Sequence, residues 1–191
     1  MTFTETPLAG VFLVRLKRIT DHRGFFARGW CTEEFRSRGL DPRVIQLNVG
    51  FSTARGTLRG IHYQLAPYAE SKFIRCTRGA VYDVILDLRP GSPTHGRWFG
   101  AELSADNDTM MFAPTGCAHG YQTLRDDSEI YYMTTAPFVA QAARGVRYDD
   151  PAFAIRWPLP VTVISDADRG WPSTQSEPRT ATASALPSPA T

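Results

Sequence analysis

Short apolar stretches separated by turn residues run through the middle of this chain. Arg43 to Leu47, Lys72 to Thr77, Ala80 to Leu88, Trp98 to Leu103, Thr109 to Ala113, Tyr121 to Leu124 and Glu129 to Thr135 are each rich in Val, Ile, Phe, Tyr or Thr, the residues that suit a pleated, half-buried surface. Between them stand turn signals: Thr77-Arg78-Gly79, Arg89-Pro90-Gly91-Ser92-Pro93, Ala105-Asp106-Asn107-Asp108 and Arg125-Asp126-Asp127. Many short strands at regular spacing predict an antiparallel sandwich or barrel instead of alternating strand–helix–strand units. A helix is expected only over Thr32 to Arg38, with Thr32 as N-cap and Gly39 as the stop. From Pro172 to Thr191 the pattern ends: Ser, Thr, Ala and Pro dominate, with no aromatic residue and a single leucine. That segment lacks the apolar surface to offset its ordering entropy. The expectation is one all-β domain over residues 1–171, followed by a disordered tail over 172–191.

Composition narrows the partners more than the fold. With 191 residues the chain suits one domain with a real core, and 42% hydrophobic against 21% charged residues is ordinary for a globular protein. A formal net charge of +2 gives no support to wholesale binding of nucleic acid or of a membrane surface. No apolar run approaches the roughly 20 residues that cross a bilayer, and Met1 to Gly10 has no basic region leading into an apolar one. Cys31, Cys76 and Cys117 are odd in number and without paired spacing, as expected of reduced thiols in a cytoplasmic protein.

The chemistry concentrates in Gly56-Thr57-Leu58-Arg59-Gly60-Ile61-His62-Tyr63-Gln64, with Lys72 ten residues beyond His62. A guanidinium and an ammonium can hold an anion, and an imidazole can move a proton near neutral pH; a core strand has no use for the combination. Histidines in an all-β chain raise the question of a metal. A cupin metal site needs two histidines one residue apart, a carboxylate and a later third histidine. Here the first cluster reads His62-Tyr63-Gln64, and only His119 stands in the later motif Pro114-Thr115-Gly116-Cys117-Ala118-His119-Gly120. One imidazole from each half is a poor ligand set, so no metal is expected. Arg23-Gly24-Phe25-Phe26 pairs an arginine with rings and suits a nucleotide, phosphate on the guanidinium and base on the ring. Gln46 and Asn48 alternate along a strand, share one side, and are expected to line a pocket. Tyr131 and Tyr132 must face opposite ways, one to the core and one to the pocket. By position alone Asp166 and Asp168 read as solvated turn carboxylates.

Taken in order, Asp21-His22-Arg23-Gly24-Phe25-Phe26, Gln46-x-Asn48, the run from Gly56 to Gln64, Lys72-Phe73-Ile74-Arg75-Cys76, Asp83-Val84-x-x-Asp87-Leu88-Arg89 with Ser92-Pro93-Thr94, Pro114-x-Gly116-x-Ala118-His119-Gly120, Asp149-Asp150-Pro151 and Trp157-Pro158 resemble the dTDP-4-dehydrorhamnose 3,5-epimerase family. The resemblance reaches to about Trp171. It implies a cupin-like jelly roll that forms a homodimer and acts on a dTDP-4-keto-6-deoxyhexose without metal or organic cofactor. It further implies His62 as the base that removes the proton beside the ketone, Asp168 as its partner, Tyr132 as the acid on the opposite face and Lys72 as the clamp on the enolate oxygen. Arg23, Phe26, Arg28, Gln46, Asn48, Arg59, His119 and Phe138 are the implied substrate contacts. The chain departs from the family pattern in carrying Arg28 where a glutamate is usual, Phe138 where a tyrosine is usual, and one extra residue between Asn48 and Gly56. These positions bear on which base is read and on whether one carbon or two are inverted. A mono-epimerase, an epimerase of another nucleotide-linked 4-keto sugar, and a non-catalytic nucleotide-sugar-binding cupin are the alternatives.

Overall fold

The computed structural model describes residues 1–173. In chain order its elements are β1 (Thr2–Glu5), β2 (Phe12–Arg15), β3 (Arg18–Asp21), β4 (Gly24–Ala27), α1 (Thr32–Arg36), β5 (Gln46–Ser52), β6 (Thr57–Gln64) and β7 (Lys72–Arg78). There follow β8 (Ala80–Asp87), β9 (Trp98–Ser104), β10 (Thr109–Ala113), β11 (Cys117–Thr123), β12 (Ser128–Thr134), β13 (Ala143–Gly145), β14 (Val163–Ile164) and α2 (Asp166–Arg169). Two sheets form a cupin-like jelly roll. One runs β1-β2-β10-β7-β12-β5, and the other β13-β6-β11-β8-β9 with β14 added parallel to β6. All other pairings are antiparallel, as the regular strand spacing predicts. β3 and β4 stand apart as a two-stranded ribbon.

Burial explains which strands alternate and which do not. Ile74, Cys76, Val81, Ile85, Met111, Tyr121 and Ile130 fill the space between the sheets. The outer face of the first sheet is covered by α1, whose Phe35 meets Phe73, Met110, Phe112 and Met133. The outer face of the second is covered by the segment that carries Val146, Phe153, Ile155 and Trp157. Strands covered on both faces read as nearly unbroken apolar runs, which is why β8 and β10 were legible. Asp87 ends β8 as a buried structural anchor, accepting bonds from Arg89, Ser92 and Thr94 on both of its oxygens.

Several boundaries differ from expectation. α1 stops at Arg36, and its N-cap is Cys31, not Thr32, with no side-chain cap bond. Gly39, at φ +69°, closes it as expected, its N–H bonding to the Arg36 carbonyl. The strand expected from Arg43 begins at Gln46, because Asp41 accepts a bond from the Arg43 N–H and holds that stretch in a turn. β11 begins at Cys117, four residues before the expected start, so His119 lies on a strand and not in a turn. Residues 174–191, and with them nearly all of the expected tail, lie outside the described residues. Among the described residues no helix is long and apolar enough to cross a membrane.

Candidate active site

A cavity of about 930 Å³ opens between the sheets. β6 brings Arg59 and His62 to it, three residues apart on the same strand because the backbone is irregular between them. Gly60 sits there at φ +117°, and a Cβ on it would lie 2.6 Å from the Gly120 Cα. Only glycine allows β6 and β11 to approach so closely. The register of this pair shifts between His119 and Tyr121, and His119 ends directly opposite His62.

His62 is held by Asp168. Its Nε2 lies 2.5 Å from Asp168 Oδ1, while Asp168 Oδ2 accepts the Gly60 N–H at 3.2 Å. α2 delivers this carboxylate, with Ser165 as N-cap accepting the Asp168 N–H. Asp168 is 6% exposed, which corrects its reading as a solvated turn residue. Burial alone would raise its carboxyl, but the bond and charge of His62, the Gly60 N–H and Ser165 together hold it below the usual carboxylate range. With Nε2 engaged, Nδ1 is the nitrogen left to take a proton from a ligand.

The opposite wall comes from the other sheet. Lys72 on β7 and Tyr132 on β12 line the same cavity. Lys72 Nζ is 2.6 Å from Glu70 Oε1, both side chains being buried, and 3.4 Å from the His62 carbonyl. Gln64 Nε2 donates to the second Glu70 oxygen at 2.7 Å, so the carboxylate is used on both sides. Tyr132 packs against the inter-sheet core and Tyr131 against the outer cluster, which settles the opposite facing of the pair. Burial, reinforced by the negative charge of Glu70 and opposed by Arg59, raises the Tyr132 phenol, so it keeps its proton at neutral pH.

Of the remaining expected residues, Gln46, Asn48, Arg59, His119 and Phe138 line the cavity. Arg59 is braced by Ser52 Oγ at 3.2 Å and the Phe51 carbonyl at 3.0 Å. Gln46 Oε1 accepts the Phe138 N–H at 2.7 Å and leaves the ring 66% exposed at the rim. His119 bonds to buried Asp83. Arg23, Phe26 and Arg28 do not join this group. Arg23 pairs with Asp21 on the exposed ribbon, Phe26 is 70% exposed beside it, and Arg28 lies 3.6 Å from Glu34. Sequence reading missed Glu70, Tyr121 and Trp171. The Trp171 ring stands edge-on to His62, 6.3 Å between centroids, in space that Gly145 leaves open by lacking a side chain. Glu70 carried one usable signal, an acidic residue two positions before the only lysine of the strands. Among the described residues no cluster of three His, Cys, Asp or Glu side chains could hold a metal ion.

An imidazole on one sheet facing a phenol on the other is an arrangement able to take a proton from one side of a carbon and return one to the opposite side. That is isomerase chemistry, carried here on a cupin-like jelly roll. A model of the family described as dTDP-4-dehydrorhamnose 3,5-epimerase matches residues 5–176. The chain belongs to that family, and it is an isomerase of the racemase and epimerase kind acting on carbohydrates. A dTDP-4-dehydrorhamnose 3,5-epimerase of Sinorhizobium fredii is 44% identical over 174 residues, 91% of this chain and 89% of that one. The crystal structure of the same enzyme from Bacillus anthracis, with TDP and PPi bound, superposes with a TM-score of 0.87 at 37% identity, covering 90% of this chain and 98% of that one. A 3'-monoepimerase from Streptomyces bikiniensis in complex with dTDP-quinovose gives 0.83 at 33% identity, covering 90% and 87%.

Proposed function

We propose that the protein inverts carbons 3 and 5 of a dTDP-4-keto-6-deoxyhexose, on a route to L-rhamnose or a related deoxysugar. The observation that carries this reading is the division of labour across the cavity: His62 on one sheet, backed by Asp168 from α2, and Lys72 and Tyr132 on the other sheet. His62 Nδ1 takes the proton from the carbon beside the ketone. The charge that develops on the carbonyl oxygen is met by the Lys72 ammonium, a fixed donor in a water-poor site contributing on the order of 3 kcal/mol. Tyr132 delivers a proton from the opposite face. Because the 4-keto group acidifies both neighbouring carbons, one acid–base pair serves each in turn. Arg59, Gln46, Asn48 and His119 hold the sugar and diphosphate, and the exposed Phe138 ring stacks on the base.

Arg23, Phe26 and Arg28 fit this reading only through a second copy of the chain. They lie on or just beyond a ribbon whose strands are exposed nearly throughout and do not line their own cavity, and the edge strand β5 exposes Leu47, Val49 and Phe51. A homodimer that covers that apolar face and carries each ribbon to the partner's cavity accounts for both features. The buried reduced thiols fit a cytoplasmic setting.

Incubation with dTDP-4-keto-6-deoxyglucose in deuterated water tests the reaction. Exchange at both carbons is expected; exchange at one alone supports the mono-epimerase reading that the Streptomyces bikiniensis likeness favours, and no exchange removes the proposed substrate. Sedimentation of the protein reads the dimer, and an Arg23→Ala variant that binds dTDP as tightly as wild type would remove the ribbon from the site.

A further inference from the structure

One buried carboxylate behind the cavity wall, reached through the lining residue His119, is not used by the reaction above. Asp83 lies on β8 with no exposure at all, and its one side-chain hydrogen bond is accepted by Oδ1 from His119 Nε2 at 2.7 Å. Its Oδ2 is buried without a hydrogen-bond partner. Asp87, on the same strand, shows how a buried carboxylate looks when its role is to hold the fold: both oxygens are saturated. Asp83 is left half-satisfied, an arrangement that favours keeping a proton within the Asp83–His119 pair. Burial pushes the Asp83 carboxyl upward against the opposing charges of His119 and Lys72, in the same sense. With Nε2 committed to Asp83, Nδ1 is the ring nitrogen left for exchange at this cavity-lining residue, and the His119 ring lies 6.2 Å from that of Tyr132 between centroids. That spacing accommodates a hydrogen bond or one bridging water.

The need for such a group follows from proton balance, given the proposed inversion of two carbons, on which this inference rests. In the first inversion His62 gains the proton that leaves the sugar, and Tyr132 loses the one that arrives. The site is then an imidazolium and a phenolate, neither able to repeat its task. The His62 side chain, 47% exposed, can return its proton to water directly. Tyr132 is packed against the core between the sheets. We infer that Asp83 and His119 form a proton-return pair that recharges Tyr132 between the two inversions. The imidazolium of His119 breaks its Nδ1–H bond and forms the phenol O–H bond of Tyr132. It keeps Nε2–H on Asp83, then takes a proton from cavity water. One proton enters from water through His119 and one leaves to water from His62, so each cycle closes. Asp83 is a positioning residue in this scheme, acting through His119.

The readout is the ratio of singly to doubly exchanged sugar in a single turnover of dTDP-4-keto-6-deoxyglucose in deuterated water. Asp83→Asn and His119→Gly are each expected to raise that ratio about tenfold or more. Imidazole added to His119→Gly is expected to restore double exchange, an effect that a merely structural role would not produce. Should Asp83→Asn fail to fold, His119→Gly with and without imidazole carries the test alone. A ratio unchanged in the folded variants, or one that imidazole does not move, overturns the relay while leaving the two-carbon reading intact. Wild-type protein that exchanges a single carbon overturns both, and the wild-type control makes the two failures distinguishable.

Discussion

Replacing Asp168 by asparagine removes one charge and almost no volume, so its effect can be worked from hydrogen bonds alone. The carboxylate accepts on both sides, from His62 Nε2 at 2.5 Å and from the Gly60 N–H at 3.2 Å. An amide has one acceptor and one donor end. If its oxygen faces Gly60, its NH2 faces Nε2 and forces the imidazole proton onto Nδ1, the nitrogen needed as base. If its oxygen faces His62, the tautomer survives but two donors confront each other at Gly60, and a buried backbone N–H is left unmade at a cost of about 1–3 kcal/mol. Either orientation also removes the negative charge that stabilises the imidazolium formed on proton abstraction. The expected result is a fall in kcat of about 10²–10⁴-fold with little change in KM, together with a small loss of stability. Proton exchange at the sugar, followed by NMR in deuterated water, measures the first and thermal melting the second. A kcat within about threefold of wild type would refute the assignment of Asp168 as the group that fixes the base. The sign of the pH effect follows from the same geometry. Because the folded-state value of Asp168 is depressed, its pairing stabilises the fold fully above the ordinary aspartate pKa of about 3.9 and is lost as pH falls through the lower, folded value.

Three further outcomes are expected. Lys72→Met leaves Glu70 charged and buried without its ammonium, so the variant should lose about 3–5 kcal/mol of stability as well as most of its activity, while Lys72→Met with Glu70→Gln should recover stability and not activity; recovery of both would remove Lys72 from the reaction. Tyr132→Phe should abolish exchange at neutral pH, and in the wild type the alkaline loss due to this phenol should fall above the ordinary tyrosine value of about 10, because burial raises it. Burial pushes the thiols of Cys76 and Cys117 up to about 11 and about 12, so they stay protonated in the fold while the unfolded chain ionises near pH 8.5. Raised values mean stability that is complete below that point and lost as pH climbs toward 11; melting temperatures that stay flat over this range would contradict it, as would rapid labelling of Cys76 or Cys117 by a thiol reagent ahead of the less buried Cys31.

The strands covered on both faces were the easiest to find, since burial on both sides leaves an apolar run that needs no knowledge of neighbours. β1 to β4, β13 and β14 were missed because they are short or exposed, and pairing with a distant strand, not their own residues, makes them strands. β5 was placed early by three residues because the turn at Asp41 is a hydrogen bond and not an apolar pattern. In the site, Gln46 and Asn48 were legible from period two, and the Tyr131–Tyr132 pair from the same rule. Asp83 was not, for a carboxylate between Tyr82 and Val84 declares its partner only once another strand lies beside it, and Glu70 offered no more than its spacing from Lys72.

By itself the sequence determined the all-β class, the cationic run around His62 and, through the order of its motifs, the family. Those properties live in residue types and short spacings, which the chain carries wherever it folds. Tertiary structure alone decided that Asp168, 106 residues from His62, is a buried partner and not a turn carboxylate, that His62 and Tyr132 belong to opposing sheets, and that His119 faces His62 with a carboxylate of its own. Each of these depends on register across strands. A shift of one residue in β6 against β11 would turn Arg59 and His62 to the other face without changing a single letter of the sequence.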